Sequence, residues 1–398
     1  MCDEKILKRY SDLLIRFALG GGEGIRSGEV VYLMIPLCAW EFAKYLRRSV
    51  LDAGGHPIFG LTWDDQRGRD FYEIGNDEQI GFVPEKLLVG MVEEIDHVVR
   101  ILAEEDKYLL QGIEPKKLML GQKALSSLRT KYREKENRGE LTWVLASYAT
   151  QSEAKEAGMS LDEYWAQIIR ACYLDYDNPI VEWKKIQTEQ TRIREILNEM
   201  KIEKVHVVSE HVDLWVKIGA NRQWLGGSGR NIPSFEIFTS PDWRGTNGRI
   251  KFDVPLYRYG NRISGAEVVF RDGVVVDAKA DEGVDLFREM LRVPNADKLG
   301  EFSLTDKRMS RIDKFMGQTL YDENYGGDYG NTHVAFGSAY RDAYAGELRS
   351  VNEEEWMAYG FNDSPEHTDL FSIENRSVVA YLANGEECLI YKDGEFQL

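Results

Sequence analysis

The chain has 398 residues, enough for two domains, and 43% of them are hydrophobic, as expected for a globular protein with an apolar core. Its 67 acidic and 50 basic residues give a formal net charge of −17. This balance argues against nucleic-acid and anionic-membrane partners, because both select for clustered Lys and Arg, whereas abundant carboxylates are compatible with divalent cations.

The thiols and the N-terminal segment favour a cytoplasmic protein. The cysteines are widely separated and form no CxxC pair, which is typical of free thiols in a reducing compartment; they are Cys2, Cys38, Cys172 and Cys388. The N-terminal run MCDEKILKRY lacks the apolar core of a signal peptide. The densest apolar run, at 30–40, is too short to cross a bilayer.

The first half of the chain alternates predicted helices with predicted strands. Apolar residues recur at helical spacing between Ile6 and Phe17, and EFAKYLRRSVLDAGG at 41–55 has the pattern of a helix that ends at a glycine pair. Short apolar runs predict strands at 30–35, 57–61, 97–103 and 141–149. This alternation is typical of an α/β domain with a doubly wound, mainly parallel sheet.

Two more helices are predicted before the pattern changes. Ser160 and Glu163 form a capping box ahead of YWAQIIRACYL. After a stop at Asn178-Pro179, a long charged helix is predicted to run to about Lys201, with its apolar residues on one side.

From about residue 204 the chain is rich in strand patterns. KVHVV, DLWVKI, RIKFDVPL and EVVFRDGVVVDAKA follow one another, and the last is a predicted hairpin that turns at Asp272-Gly273. We therefore predict an α/β N-terminal domain over residues 1–200 and a β-rich α+β C-terminal domain over residues 201–398. The chemistry of the protein is expected in the second domain.

Several motifs that resemble functional sites have a simpler structural interpretation. GGGEG at 20–24 precedes its strand and is not followed by Gly-Lys-Ser/Thr, so a helix end and a turn are favoured over a phosphate-binding loop. His206 and His211 are five residues apart, and odd offsets on a strand point to opposite faces. His56 and His97 adjoin predicted strands without an acidic cluster. We interpret these histidines as structural.

The remaining two histidines lie among carboxylates in the β-rich half. His367 and Asp369 are two residues apart, so on a strand their side chains would point to one face; His333 lies in GNTHVAFGSAY. Three acidic residues occur at nearby junctions between elements: Glu236, Glu301 and Glu323. Each acid alone is more typical of a solvated surface, but two imidazoles with four carboxylates would supply ligands for two divalent ions.

These motifs together resemble those of a known family. NIPSFEIFTSPDWRGTNG resembles the N-x-P-x-x-E-[VI]-F-T-[AS]-P signature of the aminopeptidase T, aminopeptidase S and PepS family of dinuclear metallo-aminopeptidases. LGEFSL, DEN, THVAFGSAY and SPEHTD follow in the order of that family. YSDLLIRFAL and SVLDAGGHPIF extend the resemblance into the first half, so it covers the whole chain.

The resemblance implies a ligand set and a catalytic residue. The implied ligands of a metal pair are Glu236, Glu301, Glu323, His333, His367 and Asp369. Tyr340, seven residues after His333, matches the family's catalytic tyrosine; a core aromatic is the alternative interpretation. Ten residues separate Glu323 from His333, where the best-known family members have about five. By spacing Asp328 competes for this ligand position, whereas the Asp-Glu-Asn motif favours Glu323.

The resemblance also implies the reaction. The expected activity is release of N-terminal residues from peptides with a free N-terminus, one metal binding the α-amine and the other polarising the scissile carbonyl for attack by a bridging water. A glutamate could carry the proton to the leaving amine, and the sequence does not identify it. Zinc, cobalt, manganese and magnesium all tolerate such ligands, and the family implies a homodimer.

Two other functions are compatible with parts of the sequence. His333, His367 and Asp369 alone would form the facial triad of a mononuclear non-haem iron(II) ring-cleaving dioxygenase, a class that shares the family's fold. Such a site has no use for the three glutamates, which favours the peptidase. A non-enzymatic binding protein with an acidic cleft is the third hypothesis, and the intact ligand and tyrosine motifs argue against it.

Overall fold

The structure, a computed structural model, describes residues 3–63, 66–219, 221–258 and 260–398. It divides into two compact units: unit 1 comprises Met1–Trp183, Ser228–Pro233 and Tyr259–Asn261, and unit 2 comprises Lys184–Gly227, Ser234–Arg258 and Arg262–Leu398. Cys2 lies outside the described residues. Cys38, Cys172 and Cys388 form no disulfide with one another, which agrees with the prediction of free thiols.

Unit 1 contains a four-stranded parallel sheet. Its strands are β1 (Val30–Pro36), β2 (His56–Thr62), β3 (His97–Leu102) and β4 (Thr142–Ser147). They lie in the order β2-β1-β3-β4, so successive connections place strands on both sides of β1. The prediction of an α/β domain with a parallel sheet is therefore confirmed.

Helices precede, separate and follow these strands. They are α1 (Glu4–Leu13), α2 (Trp40–Asp52), α3 (Gln66–Ile74), α4 (Asp77–Ile80), α5 (Glu85–Glu94), α6 (Pro115–Ala124), α7 (Ser126–Asn137), α8 (Gln151–Glu156), α9 (Leu161–Ala171) and α10 (Pro179–Glu199). α1 packs on α2, where the ring of Tyr10 stacks on that of Phe42 with centroids 5.2 Å apart. Ser160 and Glu163 form the predicted capping box of α9.

The glycine-rich run at 20–24 is a turn that leads toward β1. One π-helical turn, Leu14–Ala18, extends α1, and the N–H of Gly24 then donates to the carbonyl of Leu19. A Cβ at Gly24 would lie 2.5 Å from the carbonyl oxygen of Arg16, so the close approach requires glycine. This confirms a helix end and a turn at the site considered for phosphate binding.

Histidines outside the predicted site have polar partners of their own. His97 Nε2 lies 2.8 Å from Glu29 Oε2 within unit 1. His206 Nε2 lies 2.7 Å from Asp213 Oδ1 within unit 2. These contacts agree with the structural role inferred from the sequence.

Unit 2 is rich in antiparallel strands, as predicted. The strands are β5 (Ile202–Val208), β6 (Asp213–Lys217), β7 (Glu236–Thr239), β8 (Asn247–Lys251), β9 (Leu256–Arg258), β10 (Asn261–Ile263), β11 (Glu267–Arg271), β12 (Val274–Lys279), β13 (Leu299–Thr305), β14 (Asn331–Gly337), β15 (His367–Ser372), β16 (Ser377–Leu382), β17 (Glu387–Lys392) and β18 (Glu395–Phe396). Shorter helices are α11 (Val284–Leu291), α12 (Thr319–Asp322) and α13 (Glu353–Ala358).

Among the described residues, the strands of this half form one large sheet, one small sheet and a two-stranded pair of β9 and β10. The large sheet has the order β12-β11-β8-β6-β5-β16-β17-β18, and the small sheet has the order β15-β14-β13-β7. The predicted hairpin of β11 and β12 turns at Asp272 and Gly273, which both adopt positive φ. Across the residues described, none of the helices has the length and apolar character needed to span a membrane.

Candidate metal centre

The small sheet of unit 2 places five of the six predicted ligands on one face. Every residue of β13 and β14 is buried. Ser303 pairs with His333, and Ala335 pairs with Asp369. Side chains two residues apart on a strand, and directly paired side chains on neighbouring strands, point to the same face. His333 and Asp369 therefore share a face with the small side chains of Ser303 and Ala335.

The same rule brings the other strand ligands to this face. Glu301 is two residues before Ser303 on β13, although a register shift interrupts the ladder between 299 and 301. His367 is two residues before Asp369 on β15. Glu236, the first residue of β7, pairs with Thr305 two residues after Ser303.

Glu236, Glu301 and His333 form the first group of potential metal ligands, and all three are buried. His333 Nε2 lies 3.1 Å from Glu301 Oε1 and 3.4 Å from Glu236 Oε2. Ser234 Oγ donates to the other oxygen of Glu236 at 3.3 Å. One imidazole nitrogen thus faces two carboxylates, an arrangement that suits a divalent cation.

Glu301, His367 and Asp369 form a second group that shares Glu301 with the first. His367 Nε2 lies 3.6 Å from Glu301 Oε2 and 3.4 Å from Asp369 Oδ1. On the opposite side of the ring, Nδ1 is 2.8 Å from the carbonyl oxygen of Ser338, so Nδ1 carries the hydrogen and Nε2 is directed to the carboxylates. The two oxygens of Glu301 therefore face different histidines.

Glu323 and Asp328 differ in environment. Glu323 follows α12 and is 7% exposed, whereas Asp328 is exposed. The side chain of Glu323 contacts Asn324 Nδ2 at 3.3 Å, and the backbone carbonyl of Asp328 accepts from Lys307 Nζ at 3.2 Å. Among the described residues, Glu323 belongs to neither of the two close ligand groups.

Tyr340 lies beside the cluster. Its ring makes an edge-to-face contact with the ring of His367, with centroids 4.9 Å apart, and its N–H donates to Ser240 Oγ at 2.8 Å. Burial raises the pKa of the phenol well above its ordinary value, and the charges of Glu301 and other nearby carboxylates raise it further. The hydroxyl therefore keeps its proton and can act as a hydrogen-bond donor.

Proton binding in the first group reflects the crowding of carboxylates. Burial by itself would lower the pKa of His333, but the hydrogen bond and charge of Glu301, with the charges of Glu236 and Asp369, raise it to about 9. Burial raises the pKa of Glu236 to about 7, although the charge of His333 opposes this shift. Without metal, the cluster therefore retains protons near neutral pH.

The second group shows the same competition. Burial would lower the pKa of His367, but the charge and hydrogen bond of Asp369, followed by Glu301, raise it to about 9. Burial would raise the pKa of Asp369, but His367, then His333 and Arg258, lower it. Imidazolium groups here compensate carboxylate charge, which is the role that bound cations would otherwise fill.

The donor set fits divalent metal ions. Three buried carboxylates and the half-buried Asp369 carry four negative charges if ionised, and two neutral imidazoles add nitrogen donors. Isolated buried charges are strongly disfavoured unless they are paired or coordinate a metal. Mixed nitrogen and carboxylate donors are typical ligands of zinc, cobalt and manganese, and the residues at this site therefore suit divalent metal ions.

Two buried amide side chains contact the ligand segments, and neither was predicted from the sequence to belong to the site. Asn324 Oδ1 accepts from the N–H of Phe235 at 2.5 Å, and its Nδ2 contacts Glu323. Gln190 Nε2 on α10 donates to the carbonyl of Glu236 at 3.3 Å. The available signals were the position of Asn324 in the DEN motif and a polar residue on the apolar side of the predicted long helix.

Known proteins resemble the chain over its full length. It matches the family described as thermophilic metalloproteases (M29) over residues 3–396. It is 25% identical to aminopeptidase AmpS of Bacillus subtilis (strain 168) over 413 residues, with 98% of each chain covered. It is 26% identical to aminopeptidase PepS of Streptococcus thermophilus over 412 residues, covering 98% of this chain and 97% of PepS.

A solved structure has the same fold. Wild-type AmpT from Thermus thermophilus superposes with a TM-score of 0.84, covering 99% of this chain and 100% of AmpT. The sequences are 22% identical, so this match establishes the fold. The predicted combination of an α/β first half and a β-rich second half is thereby confirmed.

The fold, the donor set and the family match define a metal-dependent peptide hydrolase. The chain belongs to the thermophilic metalloprotease (M29) family, and the relatives it matches are named aminopeptidases. The family resemblance inferred from the motifs is confirmed. The matches give no support to the dioxygenase hypothesis.

Proposed function

We propose that this protein is a metallo-aminopeptidase that releases N-terminal residues from peptides, with two divalent metal ions as cofactors. The observation that carries the proposal is the pair of ligand groups that share Glu301 on one buried sheet face. The names of the matched relatives support aminopeptidase activity over internal cleavage.

The proposed ligands are the two groups together with one further glutamate: Glu236, Glu301, Glu323, His333, His367 and Asp369. We assign the bridging position to Glu301, because its two oxygens face the histidines of different groups. A shared carboxylate reduces the repulsion between two cations held close together. Glu323 is the proposed sixth ligand because it is buried, whereas exposed Asp328 would leave the ion partly in solvent.

The residues of the chain determine where the reaction occurs. When bound, the metal pair would supply Lewis acidity that activates water, polarises the scissile carbonyl and anchors the free α-amine. Burial of Glu236, Glu301 and His333 limits access of bulk water and strengthens electrostatic interactions in the site. The requirement for a free amine distinguishes this reaction from that of an endopeptidase.

Tyr340 is the proposed catalytic residue. Its ring lies against proposed ligand His367, and its phenol remains protonated. In this role the O–H donates a hydrogen bond to the oxygen that becomes negative as the peptide carbonyl is attacked. Such a donor acts mainly in the transition state because the charge is greatest there.

The finer properties follow from the donor set and from the family. Zinc, cobalt, manganese and magnesium are the candidate metals, and the nitrogen donors favour the first three. We propose residues 1–200 and 201–398 as the functional division of the chain, with the metal site in the second part. We further propose a cytoplasmic homodimer whose partners are peptides, without nucleic-acid or membrane partners.

The test combines metal analysis with substrate specificity. Purified protein should contain about two divalent ions per chain and should hydrolyse aminoacyl chromogenic substrates. A peptide with a free N-terminus should be cleaved, and its N-acetylated counterpart should resist cleavage because the amine is no longer available. Equal cleavage of both peptides would contradict the proposed exopeptidase activity, and a single iron with oxygen uptake would overturn the hydrolytic mechanism.

A further inference from the structure

We propose that Asn324 is a positioning residue that sets the separation of the Glu323 carboxylate and the segment carrying Glu236, and thereby controls metal affinity. This inference rests on the proposed function, because both glutamates are proposed ligands. Asn324 is fully buried and directly follows Glu323 in the chain.

The hydrogen bonds of Asn324 determine the orientation of its amide. The N–H of Phe235 can only donate, so the atom that accepts from it at 2.5 Å is Oδ1. Nδ2 then faces the opposite way, where it donates to the carbonyl of Leu320 at 3.1 Å and to Glu323 Oε1 at 3.3 Å. One side chain therefore connects the residue before Glu236 with the carboxylate of Glu323.

Other contacts hold the Glu236 segment from a second direction. Gln190 Nε2 donates to the carbonyls of Ser234 and Glu236, each at 3.3 Å. These contacts hold two backbone carbonyls of the Glu236 segment from α10. Asn324 contacts both the Glu236 segment and the Glu323 carboxylate.

This connection matters because it links the position of one proposed ligand to the segment that carries another. The amide donor beside Glu323 holds one carboxylate oxygen, which limits the positions available to the other. Metal affinity depends on ligand positions to within a few tenths of an ångström, and loss of groups that orient ligands typically reduces affinity by about 10–100-fold.

The experiment measures Co²⁺ binding by calorimetry to the metal-depleted full chain. Asn324→Ala and Asn324→Ser are compared with Asn198→Ala. Asn198 is a matched control, because its Oδ1 accepts from the N–H of Trp224 at 2.7 Å and its Nδ2 donates to the carbonyl of the same residue at 3.3 Å, away from the ligands. The melting temperature of each metal-free protein is measured in parallel.

We expect the Asn324 variants to bind Co²⁺ about 10–100-fold more weakly than wild type, while Asn198→Ala loses stability but keeps its affinity within about threefold. Wild-type affinity in a folded Asn324 variant would overturn the inference alone, provided that wild-type protein binds two ions. Absence of Co²⁺ binding to wild type would instead overturn the proposed function. Failure of both Asn324 variants to fold, with Asn198→Ala folded, would assign Asn324 a folding role and reject the positioning role.

Discussion

At the scale of single residues, a substitution at Tyr340 tests whether its hydroxyl stabilises the transition state or its ring serves only in packing. Tyr340→Phe keeps the ring beside His367 and deletes only the hydroxyl donor. We expect kcat to fall by about 10²–10³ with a similar KM, because the lost hydrogen bond forms mainly in the transition state. Steady-state kinetics on an aminoacyl substrate measures this effect.

The interpretation of Tyr340→Phe depends on an intact metal site. Metal content and melting temperature should match those of wild type, since the hydroxyl is not a proposed ligand. Near wild-type turnover would return Tyr340 to the role of a packing aromatic, which its contact with Phe238 at 5.7 Å between centroids also permits.

Glu301 provides a second test at the residue scale. Because its two oxygens face different histidines, Glu301→Ala should remove ligands from both ions. We expect activity to fall by at least about 10²-fold and metal content to fall to about one ion per chain or less. Activity assays and elemental analysis provide the two measurements.

Asp328, the alternative to Glu323 as the sixth ligand, provides the control for these ligand substitutions. Asp328 is exposed, so Asp328→Ala should retain activity within about twofold, whereas Glu323→Ala should lose it. The reverse pattern would assign the sixth ligand position to Asp328. Full activity in Glu301→Ala would contradict the shared-ligand proposal.

At the scale of elements, the start of α8 contains a buried acid outside the metal centre. Burial raises the pKa of Glu153 to about 8, with Lys107 opposing and Glu104 adding to the shift. The single hydroxyl proton of Thr150 can go to the carbonyl of Glu104, 2.6 Å away. The 3.1 Å contact between Thr150 Oγ1 and Glu153 Oε2 is then satisfied by a proton on Glu153.

This arrangement predicts a pH-dependent contribution to stability. The folded-state pKa of about 8 exceeds the ordinary value of 4.5, so the folded protein binds the additional proton. The contribution is fully present below pH 4.5 and is lost as pH rises through about 8. Glu153→Gln mimics the protonated acid. The melting temperature of this variant minus that of wild type should therefore increase as the pH rises from about 5 to about 8.

Glu105, which follows Glu104 in the chain, supplies the control for this measurement. It is exposed, and Glu105→Gln should follow the wild-type pH profile. A constant difference in melting temperature between Glu153→Gln and wild type across this range would show that Glu153 is ionised in the folded protein.

At the scale of the whole molecule, metal removal should separate catalysis from folding. Chelation should abolish activity and leave the far-UV circular dichroism spectrum nearly unchanged, because both units have extensive apolar cores. The melting temperature should decrease, since an ion that binds only the folded state stabilises it. Addition of divalent ions should restore activity.

A small metal-binding domain that folds only with its ion would behave differently. Loss of most secondary structure after chelation would show that metal binding supplies folding free energy here. Spectra and activity recorded on the same chelated sample distinguish these outcomes.

Element positions were predictable because their signals are local. The capping box of Ser160 and Glu163 and the turn at Asp272-Gly273 involve residues close in sequence, and both occur in the structure. The parallel strands of unit 1 were predictable from apolar runs separated by helical patterns. The family was identified from the order of its motifs along the chain.

By itself, the sequence determined the class of each half, the family and the candidate ligands. Only the tertiary structure decided that the two oxygens of Glu301 face different histidines, that Glu323 is buried while Asp328 is exposed, and that Asn324 connects the Glu323 carboxylate to the residue before β7. The physical reason is that local conformation depends on neighbouring residues, whereas convergence at a site depends on strand order and register between segments far apart in the chain.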